Sequence, residues 1–273
     1  MADGFLSENS PVPGYALVQR LGINGSTLYL ARQLSSGKQV VLMVSDAWFA
    51  ESLQRHVASL ARLDHPNIVR VFEIGKVEGS VYAAVEYVGG QSLAHRLREG
   101  PMSVPEAAAL TRTIALTLEY ARDQGMTHLN LTPASIVLSN EGVLKLSEFE
   151  LMEVVEQSDE AAKKWVVGKP PAFWAPEDFM PGGPCVFPTA DVYRVGTVMY
   201  TMLTGQPPFA GSDPMEIVKA VMLRPPSHLQ KLNPTVSIAA EAVCMKCLEK
   251  RIESRHASLQ ELADDLGHLM KTG

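Results

Sequence analysis

The chain is poor in cysteine, with three in 273 residues, and it carries no long run of charge of one sign. Cys244 and Cys247 form a C-x-x-C within the apolar string AAEAVCMKCLEK, and Cys185 lies far from them. One such pair falls short of the four ligands a structural zinc site wants, so buried structural thiols are expected. No apolar stretch approaches the roughly 20 residues needed to span a bilayer. The opening MADGFLSENSPVPG lacks the charged and apolar regions of a signal peptide. A cytoplasmic protein without membrane insertion is therefore predicted. Lysine and arginine total 24 against 30 aspartates and glutamates, a net charge of −6 with both signs interspersed. That argues against nucleic acid or an anionic membrane as partner, since both reward a basic patch.

What is present reads as two regions, 1–88 and 89–273. Residues 15–45 alternate apolar and polar positions through YALVQRLG, TLYLARQ and QVVLMVS, broken by a Ser-Ser-Gly-Lys turn. This is the period of successive hairpin strands. A helix is predicted over about 47–63, with Phe49, Leu53, Val57, Leu60 and Leu63 on one face. Two further strands follow, HPNIVRVFEIG and VYAAVEYV, joined by a Glu-Gly turn. The first region is thus a five-stranded sheet with one helix. Beyond Gly89-Gly90 the texture becomes helical, with capping boxes at Ser103/Glu106 and Ser258/Glu261 and a helix start at Asp213-Pro214. The fold class is α+β.

Several landmark strings occur in order. They are His65-Pro66-Asn67-Ile68-Val69, Val85-Glu86-Tyr87-Val88, His128-Leu129-Asn130-Leu131-Thr132-Pro133, Leu146-Ser147-Glu148-Phe149, Trp174-Ala175-Pro176-Glu177, Asp191-to-Gly196 and Leu203-to-Phe209. With this spacing the chain resembles the protein kinase superfamily across nearly its whole length, and bacterial serine/threonine kinases of the eukaryotic type most of all. The resemblance implies a two-lobed kinase-like fold, β-rich in the first lobe and helical in the second.

It also assigns roles, and many chemical positions are substituted. The glycine-rich loop keeps Gly22, has Asn24 at its second glycine and, with Gly25, reads as a remnant. Glu86 and Val88 mark the hinge. Met43 stands where a lysine pairs the phosphates, and His56 where a glutamate orients that lysine. Asn130 replaces the catalytic base; an amide oxygen accepts a hydrogen bond but takes up no proton near neutral pH. Thr132 replaces a lysine, Ser135 a metal ligand, Glu148 the metal-binding aspartate and Glu150 the glycine after it. Only Glu148 keeps a carboxylate able to hold Mg²⁺. Val41 stands where a smaller residue faces the adenine. Between Leu151 and Trp174 Ser158 is the one hydroxyl-bearing side chain, and no arginine precedes Asn130 to receive a phosphate.

Positions that serve the fold are kept. The resemblance places Leu60, Val71, His128 and Phe149 in an apolar stack, Asp191 as the anchor of the catalytic loop, and Glu177 with Arg255 as a buried ion pair. Structural positions kept and chemical ones lost lead to the expectation of a pseudokinase. It would have no enzymatic activity, cofactor or metal, and would act as a scaffold or allosteric module for a protein partner. The alternative is a divergent serine/threonine kinase or nucleotidyl transferase with weak ATP binding. Met215, Val218 and Met222, at roughly helical spacing, form a candidate docking stripe or else a core-facing one.

Overall fold

The computed structural model describes residues 12–23, 27–45, 53, 54, 57, 58, 60–128, 130–147, 150, 151, 170–181 and 186–272. The chain divides into two compact units, Met1–Gly89 and Gly90–Gly273.

The first unit is an antiparallel sheet of β1 (Tyr15–Ile23), β2 (Thr27–Gln33), β3 (Gln39–Val44), β4 (Val71–Val77) and β5 (Ser80–Glu86), in the order β1-β2-β3-β5-β4. Turn chemistry sets the register. Gly37 closes the β2–β3 turn at φ +71°. Glu78 and Gly79 join β4 to β5 with both φ values positive, as a two-residue hairpin turn requires. Because side chains alternate across a strand, β3 feeds two apolar clusters. Val40 and Leu42 join Tyr15, Leu17, Ala31 and Tyr82, while Val41 and Met43 pack with Leu53, Val57, Val81, Ala83 and Val85. Leu53, Val57 and Leu60 are helical and buried, which matches the predicted apolar face. Phe49 lies outside the described residues.

In the second unit β6 (Gly90–Ser92) pairs with β8 (Ile136–Ser139), which pairs with β9 (Leu144–Leu146), and β7 (Met126–Thr127) pairs with β10 (Glu150–Leu151). Gly90 is required by close approach: a Cβ there would fall 2.0 Å from the Leu138 carbonyl oxygen. The helices are α1 (Leu93–Arg96), α2 (Val104–Asp123), α3 (Pro188–Thr204), α4 (Pro214–Leu223), α5 (Leu229–Leu232), α6 (Ile238–Cys247) and α7 (Leu259–Thr272).

α2 begins at the anticipated capping box: the Ser103 hydroxyl accepts from Glu106 N, and Glu106 Oε2 accepts from Ser103 N at 3.1 Å. At α7 the arrangement differs from the expected box. Ser258 Oγ accepts from Glu261 N, but Glu261 Oε2 reaches one residue further back and accepts from Ala257 N at 2.7 Å. α2 packs against α3 and α7. α3 is buried over nearly its whole circumference, so it forms the centre of the unit. At Gly196 it meets α6 so closely that a Cβ would lie 2.4 Å from that of Cys247. Burial pushes the Cys247 thiol up to about 12 and raises Cys244 as well, so both are inert structural thiols. Cys185 lies outside the described residues. Among the described residues no helix is long and apolar enough to cross a membrane.

Candidate functional site

In the first unit, the candidate phosphate loop falls between the end of β1 and the start of β2. Gly22 pairs with Leu28, and a Cβ on it would meet no atom within 4 Å, so its smallness leaves open space. Asn24 and Gly25 lie outside the described residues. Met43, the fifth residue of β3, packs into the apolar cluster of Leu53, Val57, Val81, Ala83 and Val85. An uncharged side chain there serves packing. His56 lies outside the described residues. Val71 packs against the same cluster, and Leu60 is buried. Glu86 ends β5, where its Oε2 accepts from Arg70 N at 3.1 Å and its own N–H donates to Arg70 O at 2.7 Å. Val88 follows as half-buried irregular chain.

In the second unit the segment matching the catalytic loop runs from β7 to β8. His128, Thr132 and Ser135 are buried and Asn130 is half-buried. Ser135 gives the loop its shape. Its hydroxyl lies 3.1 Å from Asn130 O and 3.0 Å from Thr132 O, and it accepts from Thr132 N at 3.1 Å. Pro133 O accepts from Ala94 N at 2.9 Å, which ties the loop to α1. The Ser135 oxygen is therefore engaged with the backbone of its own turn. Glu150 pairs through its backbone with Thr127. Glu148, Phe149, Leu129 and Ser158 lie outside the described residues.

The second unit also holds a set of buried ion pairs. Arg255 Nη1 donates to Glu177 Oε1 at 2.7 Å and Nη2 to Oε2 at 2.9 Å, a two-pronged geometry. The same guanidinium donates to the carbonyls of Thr189, Glu249 and Lys250 and lies 4.9 Å from the Tyr193 ring. Asp191 Oδ2 accepts from Arg122 Nη1 at 2.8 Å and Oδ1 from Arg194 Nη1 at 2.6 Å. Arg194 also binds Asp178 at 2.6 Å. Sequence reading missed Arg122, Asp178 and Arg194. A signal was there for Arg194: an arginine within the apolar face-all-round string of α3, three residues after an aspartate, needs buried partners.

Lys250 was missed as well. Its Nζ donates to Val221 O and to Tyr193 Oη at 3.1 Å, with the Phe209 ring centroid 4.3 Å away. Burial first, and then the Arg255 charge, push its pKa down to about 8, although the ring faces offset part of that penalty. An unfolded lysine holds its proton to about pH 10.4. Between pH 8 and 10 the unfolded chain thus binds more protons, and stability rises with pH. The melting temperature of the unaltered protein is expected to rise over that window relative to Lys250→Met. Parallel profiles would show that the ammonium is not penalised.

On α4, Met215 is 60% exposed while Val218 and Met222 are half-buried, so the candidate docking stripe is open at its first residue only. Leu223, outside that stripe, is 77% exposed.

The protein kinase domain family matches residues 21–266, and the chain belongs to that family. It is 28% identical to the serine/threonine-protein kinase PknB of Mycobacterium leprae, over 92% of this chain and 42% of the relative. A probable serine/threonine-protein kinase of Corynebacterium efficiens is 28% identical over 92% of this chain and 40% of its own length. The chain thus spans about two fifths of these relatives. Among solved structures, the PknI kinase domain of Mycobacterium tuberculosis superposes with a TM-score of 0.70 at 24% identity, over 98% of this chain and 99% of that one. That likeness carries the two-part kinase fold.

These findings correct the expectation that the chain is not an enzyme. The family and its named relatives are protein kinases over nearly the whole chain. The physical reason is that a substituted group lowers a rate by a factor. Losing a positioned base costs about 10²–10⁴-fold, and a scaffold that still positions its substrates retains the remainder.

Proposed function

We propose, starting from that family membership, a divergent serine/threonine protein kinase domain that binds ATP weakly and transfers phosphate slowly. The observation that carries this reading is the catalytic-loop segment, which stays folded between β7 and β8 with Ser135 bridging Asn130 and Thr132. Kinases catalyse by positioning and charge stabilisation, so a loop held in shape supports turnover even where its groups are weaker. In this reading Glu148 is the metal-binding carboxylate, and Asn130 orients the acceptor hydroxyl without removing its proton. Divalent metal would neutralise the phosphates; this chain's own residues supply orientation. Val41 and Met43 account for the weak affinity, since Met43 offers the phosphates no charge and Val41 adds bulk against the base. For a dissociation constant near 1 mM, 1 mM ATP stabilises by only about 0.4 kcal/mol.

The test is incorporation of label from γ-labelled ATP with Mg²⁺ or Mn²⁺, beside α-labelled ATP. Slow γ-label transfer, lost in Glu148→Ala, is expected. Incorporation no greater than in a mock purification would overturn the reading, and α-label transfer would replace it with nucleotidyl transfer.

A further inference from the structure

Helix α3 contains an arginine with no access to water. Arg194 is 1% exposed, and so is Asp178, which belongs to the short helical turn Pro176–Phe179 that follows the Trp174-Ala175 pair. Arg194 Nη2 donates to Asp178 Oδ1 at 2.6 Å and Nε to Asp178 Oδ2 at 3.3 Å. Asp178 Oδ2 in turn accepts from Ala175 N at 2.8 Å, so the carboxylate grips the backbone at the start of its own turn. On the other side Arg194 Nη1 reaches Asp191, which is bound by Arg122, and Arg122 Nη1 donates to Val186 O at 2.8 Å. Two carboxylates and two guanidiniums alternate along one line, from the chain at Ala175, through α3, to the end of α2 and the chain at Val186.

Burial works against the charge on Arg194, but Asp178 and Asp191 overcome it and raise its pKa above the ordinary arginine value.

We infer that Arg194 and Asp178 form a built-in latch that holds residues 174–179 docked on α3 without phosphorylation. In a segment switched by phosphorylation, a new phosphate supplies the negative charge and an arginine receives it. Here both charges are genetically encoded, buried and already paired, and Leu129 stands where the receiving arginine would be. The segment is thus permanently docked. This inference does not rest on phosphoryl transfer, and its test reads no activity, so the two readings fail separately.

The experiment is residue-resolved amide hydrogen exchange on the full chain after phosphatase treatment. The reporters are the amides of Ala175, bonded to Asp178, and of Asp178 and Met180, bonded within the turn. In the unaltered protein their protection is expected within about tenfold of the amides of α3. In Asp178→Asn, which removes the charge but keeps an oxygen for Ala175 N, it should fall by about 100-fold while α2 changes less than about threefold. Arg194→Lys, which keeps the charge but not the fork, should fall between the two. If Asp178→Asn does not fold, Asp178→Leu with Arg194→Met removes both charges and leaves none buried alone. The same local loss is expected there. Free exchange of these amides in the unaltered protein would overturn the latch, as would equal loss across the unit or no local loss in either variant.

Discussion

Restoring Met43→Lys, His56→Glu, Asn130→Asp, Thr132→Lys, Ser135→Asn and Glu148→Asp together is expected to raise γ-phosphate transfer at least about 10³-fold, whereas Asn130→Asp alone gains less than about tenfold. Groups that act as a unit are strongly non-additive, because each is useful only when the others hold the substrate. The structure explains why single repairs fail. Met43 packs among Val81, Ala83 and Val85, so a lone lysine there would press an ammonium against apolar side chains. His56→Glu supplies its counter-charge. Asn130→Asp by itself adds a base beside phosphates that nothing grips, and Ser135 remains occupied with Asn130 O and Thr132 O. The measurement is initial rate with a peptide acceptor at saturating Mg²⁺. A jump in the single variant that matches the full set would mean that the other positions are already competent.

Arg255→Ala should lower the melting temperature by roughly 10 °C. Removing one member of a buried pair costs about 3–5 kcal/mol, because the remaining charge stays desolvated and unpaired. For a chain of this size each kcal/mol moves the midpoint by about 2–4 °C. Here the loss is larger than one ion pair. Glu177 is left with neither of its two bonds to Arg255, and the carbonyls of Thr189, Glu249 and Lys250 each lose a donor. Glu177→Gln, which keeps one oxygen acceptor, should cost distinctly less. Differential scanning calorimetry of the three proteins decides it, and equal midpoints for Arg255→Ala and the unaltered chain would refute the assignment.

The strands of the first unit were legible because alternation and turn residues act locally: Gly37 and Glu78-Gly79 fix where each hairpin reverses. The start of α2 was legible from Ser103 and Glu106 for the same reason. Motif spacing assigned Met43, Asn130 and Ser135 to a site by resemblance, and it paired Glu177 with Arg255 across 78 residues, a pair the fold does form. What those residues do was harder to read. That Ser135 spends its hydroxyl on two carbonyls depends on the curl of the loop, which no spacing encodes. Asp191 was read as the anchor of the catalytic loop, while the partners its carboxylate binds, Arg122 and Arg194, come from 69 residues away and from the next helical turn. The judgement on activity failed for a related reason. It took the absent groups to abolish turnover, although losing a positioned group lowers a rate by a factor and leaves a remainder.

The Asp178–Arg194 bridge also constrains how this chain can drift over generations. Losing Asp178 first leaves Arg194 to Asp191 alone, and losing Arg194 first takes the guanidinium from two buried carboxylates at once, so either single step costs stability in a dry interior. A domain stable by about 5–15 kcal/mol has little room to cross that intermediate. Substitution at either position is therefore disfavoured until its counterpart has changed. The two positions are expected to change together or not at all.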